Sequence, residues 1–456
     1  MNDEKASRSI IETLKAISLK VLRFVLKHVY GIITSIALIY LIFFLPKTIY
    51  GNTEWMNINR IILIVVAFQY LFYRIFLYFK QNRKNVSSEN KNLINILGSV
   101  IAILIGFIFG LILMLIVNPS QALEGFSIII IGGFNEGFES IGNMIYFSVP
   151  IILTGLSVAF AFRTGLFNIG ATGQLTMGAF TAVYIGVKWS ALGEISPILH
   201  WGVAILFALI AGAVWGAIPG FLKAYRNVNE VVSAIMLNYV AMYLNTYLIK
   251  KYIYNQSYAR AMDIKATAAT PDLNLQYLFP NTSINAGIIV AIVVVIILYI
   301  ILNKTTFGYE LKAVGFNREA SRYAGMNAKR NIVLSMMISG AVAGLAGAMI
   351  FLVIGKNLKP ENVLLSEGFT GIAISLLGLS SPFGVLIAGL FFGSLQQGGY
   401  YLQLLNFKPE IIDIIIAVII YVSALGLIIQ KLVLFFMKRK ETKVKQANDS
   451  LEGGDK

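Results

Sequence analysis

Apolar runs of roughly membrane length alternate with short polar connections along almost the whole chain. The runs fall at about 29–46, 58–79, 93–117, 143–162, 172–188, 199–222, 229–249, 284–302, 331–354, 367–380, 383–400 and 410–430. A helix needs about 20 apolar residues to cross hydrocarbon, so the pattern predicts an all-α polytopic membrane protein with about twelve membrane segments. The pair at 367–400 is short and interrupted by Gly378, Ser380, Ser381 and Pro382. Two half-helices would fit there and leave the parity unchanged. The SIIIIGG run after Val117 is too short to cross and predicts a partly buried outer helix.

The polar connections give the orientation. Residues 303–330 carry Lys304, Lys312, Arg318, Arg322, Lys329 and Arg330 against Glu310 and Glu319, which places this segment in the cytoplasm. The stretch after Val117 holds Glu124, Glu136 and Glu139 before any Lys or Arg, and belongs outside. Both termini then lie in the cytoplasm. The connection 250–283 runs against this bias, with Lys250, Lys251, Arg260 and Lys265 on the outer side. The stronger bias at 303–330 and at both ends decides the matter.

Four regions follow. Residues 1–28 mix Lys15, Lys20, Arg23 and Lys27 with regularly placed Ile and Leu, an amphipathic cytoplasmic segment lying on the membrane. Residues 29–92 are an added pair of helices with a polar linker at 80–92, and residues 93–430 form the main body. Residues 431–456 are a polar cytoplasmic tail. The basic start is not followed by a short apolar core and a small-residue cleavage site, so the first runs are read as retained membrane segments.

Composition sharpens the class. Of 456 residues, 57% are hydrophobic and 13% charged, where soluble domains carry about a quarter charged. The net charge of +15 is spread over connections and ends, the footprint of membrane topology and not of nucleic-acid binding. No cysteine is present, which removes disulfides, thiolate metal sites and cysteine nucleophiles. His28 and His200 lie far apart near segment ends, a poor basis for a metal site. No phosphate-binding glycine loop ending in Lys-Ser/Thr occurs, so the chain does not itself hydrolyse ATP. Mid-membrane carboxylate rows and catalytic constellations are missing as well. The residues leave a channel, or a pore-forming subunit driven by another protein.

Three stretches carry the candidate chemistry. Residues 163–187 place Gly165, Gly170, Gly173 and Gly178 among Asn168, Thr172, Gln174 and Thr176. Either this is a broken element lining a transport path, or a loop followed by a glycine-rich packing helix; the residues leave both open. Its glycine-rich character is shared with 367–400, as related halves of a repeat would share it. In 229–249, Glu230, Ala234, Asn238, Ala241 and Asn245 share one helical face, with Met236, Tyr239 and Tyr243 elsewhere on the helix. That face meets either another helix or the solute. In 303–330, residues 318–325 predict a short helix ended by Gly325, the form of a docking element held out of the membrane.

The sequence E-A-S-x-x-x-G at 319–325 resembles the E-A-A-x-x-x-G loop of ABC importer permeases, with Ser321 in place of the second alanine. RTGLFNIGATGQLTMGAF, NEVVSAIMLNYVA and TTFGYELKAVGFNREASRYAGM together resemble the branched-chain amino acid, ribose and nucleoside permease family. The NEVVSAIMLNY block is most similar to its nucleoside branch, whose binding proteins are lipoproteins. The resemblance covers roughly residues 93–430.

It implies a non-catalytic permease subunit in the plasma membrane, without a cofactor of its own. A cytoplasmic ABC ATPase would bind the ATP, beside a second related permease and an extracytoplasmic solute-binding lipoprotein. Glu319, Ala320 and Gly325 would then dock the ATPase, with Arg318 and Arg322 pairing its acidic groups. Asn168, Gln174 and Asn238 would offer amides to a neutral nucleoside, and Phe167 and Tyr239 would stack on its base. A sugar or branched-chain amino acid is the alternative solute, and a passive channel the alternative class. Two departures stand out: Thr172 occupies a position where members often carry an acid, and residues 1–90 lie outside the shared core.

Overall fold

The computed structural model describes residues 89–426. The amphipathic segment 1–28, the runs 29–46 and 58–79 and the tail 431–456 lie outside the described residues. What is described is all-α apart from a short β-hairpin, Tyr254–Asn255 paired with Arg260–Ala261.

The helices follow the apolar runs closely. They are α1 (Glu89–Val117), α2 (Ala122–Ile131), α3 (Phe138–Arg163), α4 (Ala171–Lys188) and α5 (Ser190–Ile195). Next come α6 (Pro197–Arg226), α7 (Glu230–Tyr252), α8 (Gly287–Lys304), α9 (Thr306–Phe316) and α10 (Arg318–Tyr323). The last are α11 (Ala328–Phe351), α12 (Glu367–Leu377), α13 (Pro382–Leu402) and α14 (Pro409–Ala424). Pro197, Pro382 and Pro409 each stand in a first turn, where a missing N–H costs nothing. Asn229, Asn317 and Asn327 cap α7, α10 and α11 by accepting from backbone N–H groups of the first turn.

Among the described residues six helices are long and apolar enough to cross a membrane: α1 from Gly98, α3, α6, α7, α8 and α11. The chain is a multi-pass plasma-membrane protein. The 367–400 region differs from a pair of half-helices. Only α12, with 11 residues, is short, whereas α13 runs uninterrupted for 21. At about 1.5 Å per residue, α12 reaches about half-way through the hydrocarbon and α13 is long enough to cross it. The Gly-Ser-Pro cluster forms only the turn between them. The short outer helix after Val117 is α2, which buries Ala122, Gly125, Ser127, Ile129 and Ile131.

Two helices form the centre. In α3 and α11, 72% of the apolar stretch is buried, against 22% in α6 and 28% in α8. The outer helices turn large apolar side chains outward, as at Ile210, Val214 and Ile218 of α6 and Ile289, Ile292, Val293 and Ile296 of α8. Small residues face inward, among them Ala204, Ala208, Gly212 and Gly216 of α6, the expected pattern where lipid is the solvent.

The packing of the centre is crossed. α3 packs on α12 and α13, whereas α11 packs on α4 and α6, and the two central helices touch each other. α3 ends and α11 begins beside the basic segment 303–330, so the two run in opposite directions. This is the arrangement of an inverted repeat, with α3, α4 and α6 matched by α11, α12 and α13. Glycine permits the closest approach. A Cβ on Gly344 of α11 would collide with the Ala208 carbonyl oxygen of α6, and one on Gly212 with that of Gly340.

At the end away from the basic segment, the connection after α7 folds over the bundle. Ala261 N–H donates to Leu358 O at 2.8 Å, and Thr270 N–H to Leu352 O at 2.8 Å. His200 is buried there, its ring nitrogens 2.9 Å from the Thr267 hydroxyl and 3.1 Å from Ile185 O.

Candidate functional site

Residues 164–170 form an irregular loop between α3 and α4, and α4 itself is unbroken. Of the two readings of 163–187, the backbone therefore adopts the loop followed by a glycine-rich helix. Arg163 ties this loop to the turn between α12 and α13, donating from Nε to Ser380 O at 2.8 Å and from Nη2 to Leu379 O at 3.2 Å. Both acceptors belong to residues with left-handed backbone, φ 49° at Ser380 and 54° at Leu379. The Thr164 and Ser335 hydroxyls are hydrogen-bonded to each other.

The three predicted amides come together here, all almost completely buried. Asn168 Nδ2 donates to Gln174 Oε1 at 2.8 Å and to Ser339 Oγ at 2.7 Å, while Gln174 Nε2 donates back to Asn168 Oδ1 at 3.2 Å. Ser339 Oγ donates in turn to Ser157 O at 2.7 Å, where α3 and α11 cross. Asn238 of α7 accepts from Gly173 N–H at 2.8 Å and donates to Ile169 O at 3.0 Å. Gly173 is needed for that approach, since a Cβ there would lie 2.9 Å from Asn238 Oδ1. Burial makes each of these groups costly without a partner, and in this conformation their partners are protein.

The face of α7 bearing Ala234, Asn238, Ala241 and Asn245 is the buried one. Thr172 Oγ1 and Asn245 Oδ1 are buried without a hydrogen-bond partner among the described residues. Phe167 and Tyr239 do not join the amides. Phe167 is partly exposed and stacks on Phe162 at 5.0 Å, and Tyr239 is exposed on the other side of α7 with Met236 and Tyr243.

The basic segment folds as α9 and α10. Asn317 Oδ1 accepts from Ala320 N–H at 3.0 Å to start α10, and Gly325 ends it with φ +81°. Glu319 and Arg322 pair at 3.3 Å, both about two-thirds exposed by side chain (67% and 64%). Arg318 points the other way and donates to Ala224 O at 3.3 Å, fastening α10 to the end of α6. Phe316 and Tyr323 flank this knob and are 91% and 93% exposed. Sequence reasoning passes over these two aromatics, although large apolar rings inside a charged segment are a signal of a contact surface.

A cavity of about 230 Å³ lies at the opposite end of the bundle, lined in part by Tyr146, Asn285, Lys356, Glu367, Thr370 and Gln396. Separate helices and connections contribute these side chains, so no spacing along the chain announces them. Among the described residues no group of three or more His, Asp or Glu comes together as metal ligands would.

Residues 140–424 match the family described as branched-chain amino acid transport system, permease component. The chain belongs to this permease family. The permease is 40% identical to the guanosine ABC transporter permease protein NupP of Bacillus subtilis (strain 168) over 331 residues, 72% of this chain and 93% of that protein. It is 37% identical to the nucleoside ABC transporter permease protein NupB of Lactococcus lactis subsp. cremoris (strain MG1363), over 74% of this chain and 92% of that protein. The glucose ABC transporter permease protein TsgB13 of Haloferax volcanii is 33% identical over 60% of this chain and 73% of its own length. No solved structure matches the permease.

Proposed function

We propose that this permease is one of two related membrane subunits of a nucleoside importer, driven by a cytoplasmic ABC ATPase and supplied by an extracytoplasmic solute-binding lipoprotein. The observation that carries the solute class is the 40% and 37% identity to guanosine and nucleoside permeases across nearly their full lengths. The subunit has about twelve membrane segments with both termini in the cytoplasm.

The ATPase docks on α10, with Glu319, Ala320 and Gly325 at the contact. Arg322 pairs acidic groups of the motor, and Arg318 does so with the donors that its bond to Ala224 O leaves free. ATP itself stays on the motor, and this chain holds no cofactor. Motion of α9 reaches the 164–170 loop directly, because Gly315 lies against Thr164 and Gly165. When that loop shifts, Asn168, Gln174 and Asn238 exchange protein partners for hydrogen-bonding groups of the solute.

The test is uptake of labelled guanosine or uridine by a strain deleted for this gene and lacking a redundant transporter. Loss of uptake supports the reading, and normal uptake rejects it. A sugar is the second reading, favoured by 33% identity to a glucose permease. Labelled glucose in the same strain separates the two. Purification in mild detergent separates a driven importer, which retains its ATPase, from a solitary passive channel.

A further inference from the structure

The buried amides around the central loop are spent on protein, whereas in a second set of polar groups only the Thr370 hydroxyl, which donates to Ser366 O at 3.1 Å, and Asn285 Oδ1 are so committed. In the cavity away from the basic segment, Tyr146 comes from α3, Asn285 from just before α8, Lys356 from the loop after α11, Glu367 and Thr370 from the first turn of α12, and Gln396 from α13. The Tyr146 hydroxyl, the Glu367 carboxylate and the Gln396 amide have no hydrogen-bond partner among the described residues, and neither Lys356 nor Glu367 is in a salt bridge there. Asn285 is 8% exposed, and its Oδ1 is committed to Gly287 N–H at 2.9 Å, which leaves its amide N–H groups for the cavity. The Lys356 ammonium sits 5.6 Å from the Tyr146 ring centre and so covers one side of it.

We propose that this cavity is a solute-binding subsite for a neutral nucleoside, entered before the solute reaches the amide loop. Three properties select that class. One cation and one anion leave no net countercharge, which disfavours a phosphorylated or carboxylate-bearing solute. Donors from Asn285, Gln396 and Lys356 share the cavity with acceptors on Glu367 and Gln396, the mixture that sugar hydroxyls and base edges require. Tyr146 and Phe392 add aromatic walls on the apolar side. Uncommitted polar groups at a cavity wall are satisfied by water until a ligand replaces it.

The inference rests on the nucleoside reading, and its test keeps the two apart. The purified permease–ATPase complex, without the binding lipoprotein, is titrated with tritiated guanosine by equilibrium dialysis, alongside uptake in cells. Gln396→Leu and Glu367→Gln, which keep side-chain volume, are compared with the wild type, with membrane abundance measured for each. Each is expected to weaken guanosine binding about fivefold, as loss of one ordinary hydrogen bond does. Tyr146→Phe is a milder third variant, should either of the others accumulate poorly. Wild-type uptake of guanosine together with unchanged binding in all three variants would overturn the subsite and leave the nucleoside reading intact. A wild type that takes up no nucleoside would remove both.

Discussion

Gly315 of the basic segment rests against Gly165 with no side chain between them. A Cβ on Gly315 would lie 2.7 Å from the Thr164 carbonyl carbon and 2.8 Å from the Gly165 nitrogen. Gly165 has φ +71°, a conformation an L side chain adopts only under strain. The α9 helix, next in the chain to the proposed docking helix α10, thus bears on the start of the buried amide loop through two backbones, and backbones transmit a push without rotamer slack.

Gly315→Ala is therefore expected to break coupling more than assembly. The methyl group forces the two segments apart at a cost of about 1–3 kcal/mol. The complex should still co-purify and hydrolyse ATP, with guanosine uptake lowered at least about tenfold relative to hydrolysis, the change expected for about 1.4 kcal/mol. Parallel ATPase and uptake assays in proteoliposomes check this, and an unchanged ratio would refute it.

Asn168→Ala strips donors and an acceptor from a buried network. Gln174 and Ser339 lose partners they cannot replace with water, at a cost of about 1–3 kcal/mol. Thermal unfolding in detergent should fall clearly. Because Asn168 and Gln174 serve each other, the double variant with Gln174→Ala should lose less than the sum of the single losses, by about 0.5–3 kcal/mol.

This network shows where sequence reading stops. The membrane helices were legible because the length of an apolar run is a local signal. The inward face of α7 was legible from the spacing of Ala234, Asn238, Ala241 and Asn245. What Asn168 meets was not, because Ser339 lies in the other half of the chain and no local pattern records the pairing. The extent of α13 was legible, since the apolar run 383–400 nearly coincides with Pro382–Leu402. Gly378, Ser380, Ser381 and Pro382 suggested half-helices, but residue types of this kind announce only a turn and do not say that the helices beside it stop short. The outer cavity was invisible, since its lining comes from distant elements.

At the crossing of α6 and α11, Gly344→Leu should be severely destabilising, since its Cβ alone would already overlap Ala208 O. Overpacking of this kind costs about 1–3 kcal/mol or more. Gly202→Ala in the same α6 is the control, as a Cβ there meets nothing within 4 Å. Yield and unfolding temperature should drop for the first and hold or rise for the second.

The Glu319–Arg322 pair is exposed, so its loss should barely touch stability, within about 1 kcal/mol. Glu319→Lys with Tyr323→Ala should nevertheless cut recovery of the ATPase in co-purification about tenfold, or about 1.4 kcal/mol of binding. Equal recovery from variant and wild type would move the docking site elsewhere.

The crossed packing of α3 and α11 has a consequence for biosynthesis. While the ribosome is still making the second half, α3 sits in the bilayer without α11, so the Ser157 hydroxyl lacks Ser339 and must turn to carbonyls of its own helix, as Thr154 does with Pro150 O and Ile151 O. Neither half completes a core by itself. A chain cut in the connection after α7 should yield two fragments that are degraded when made singly and survive when made together.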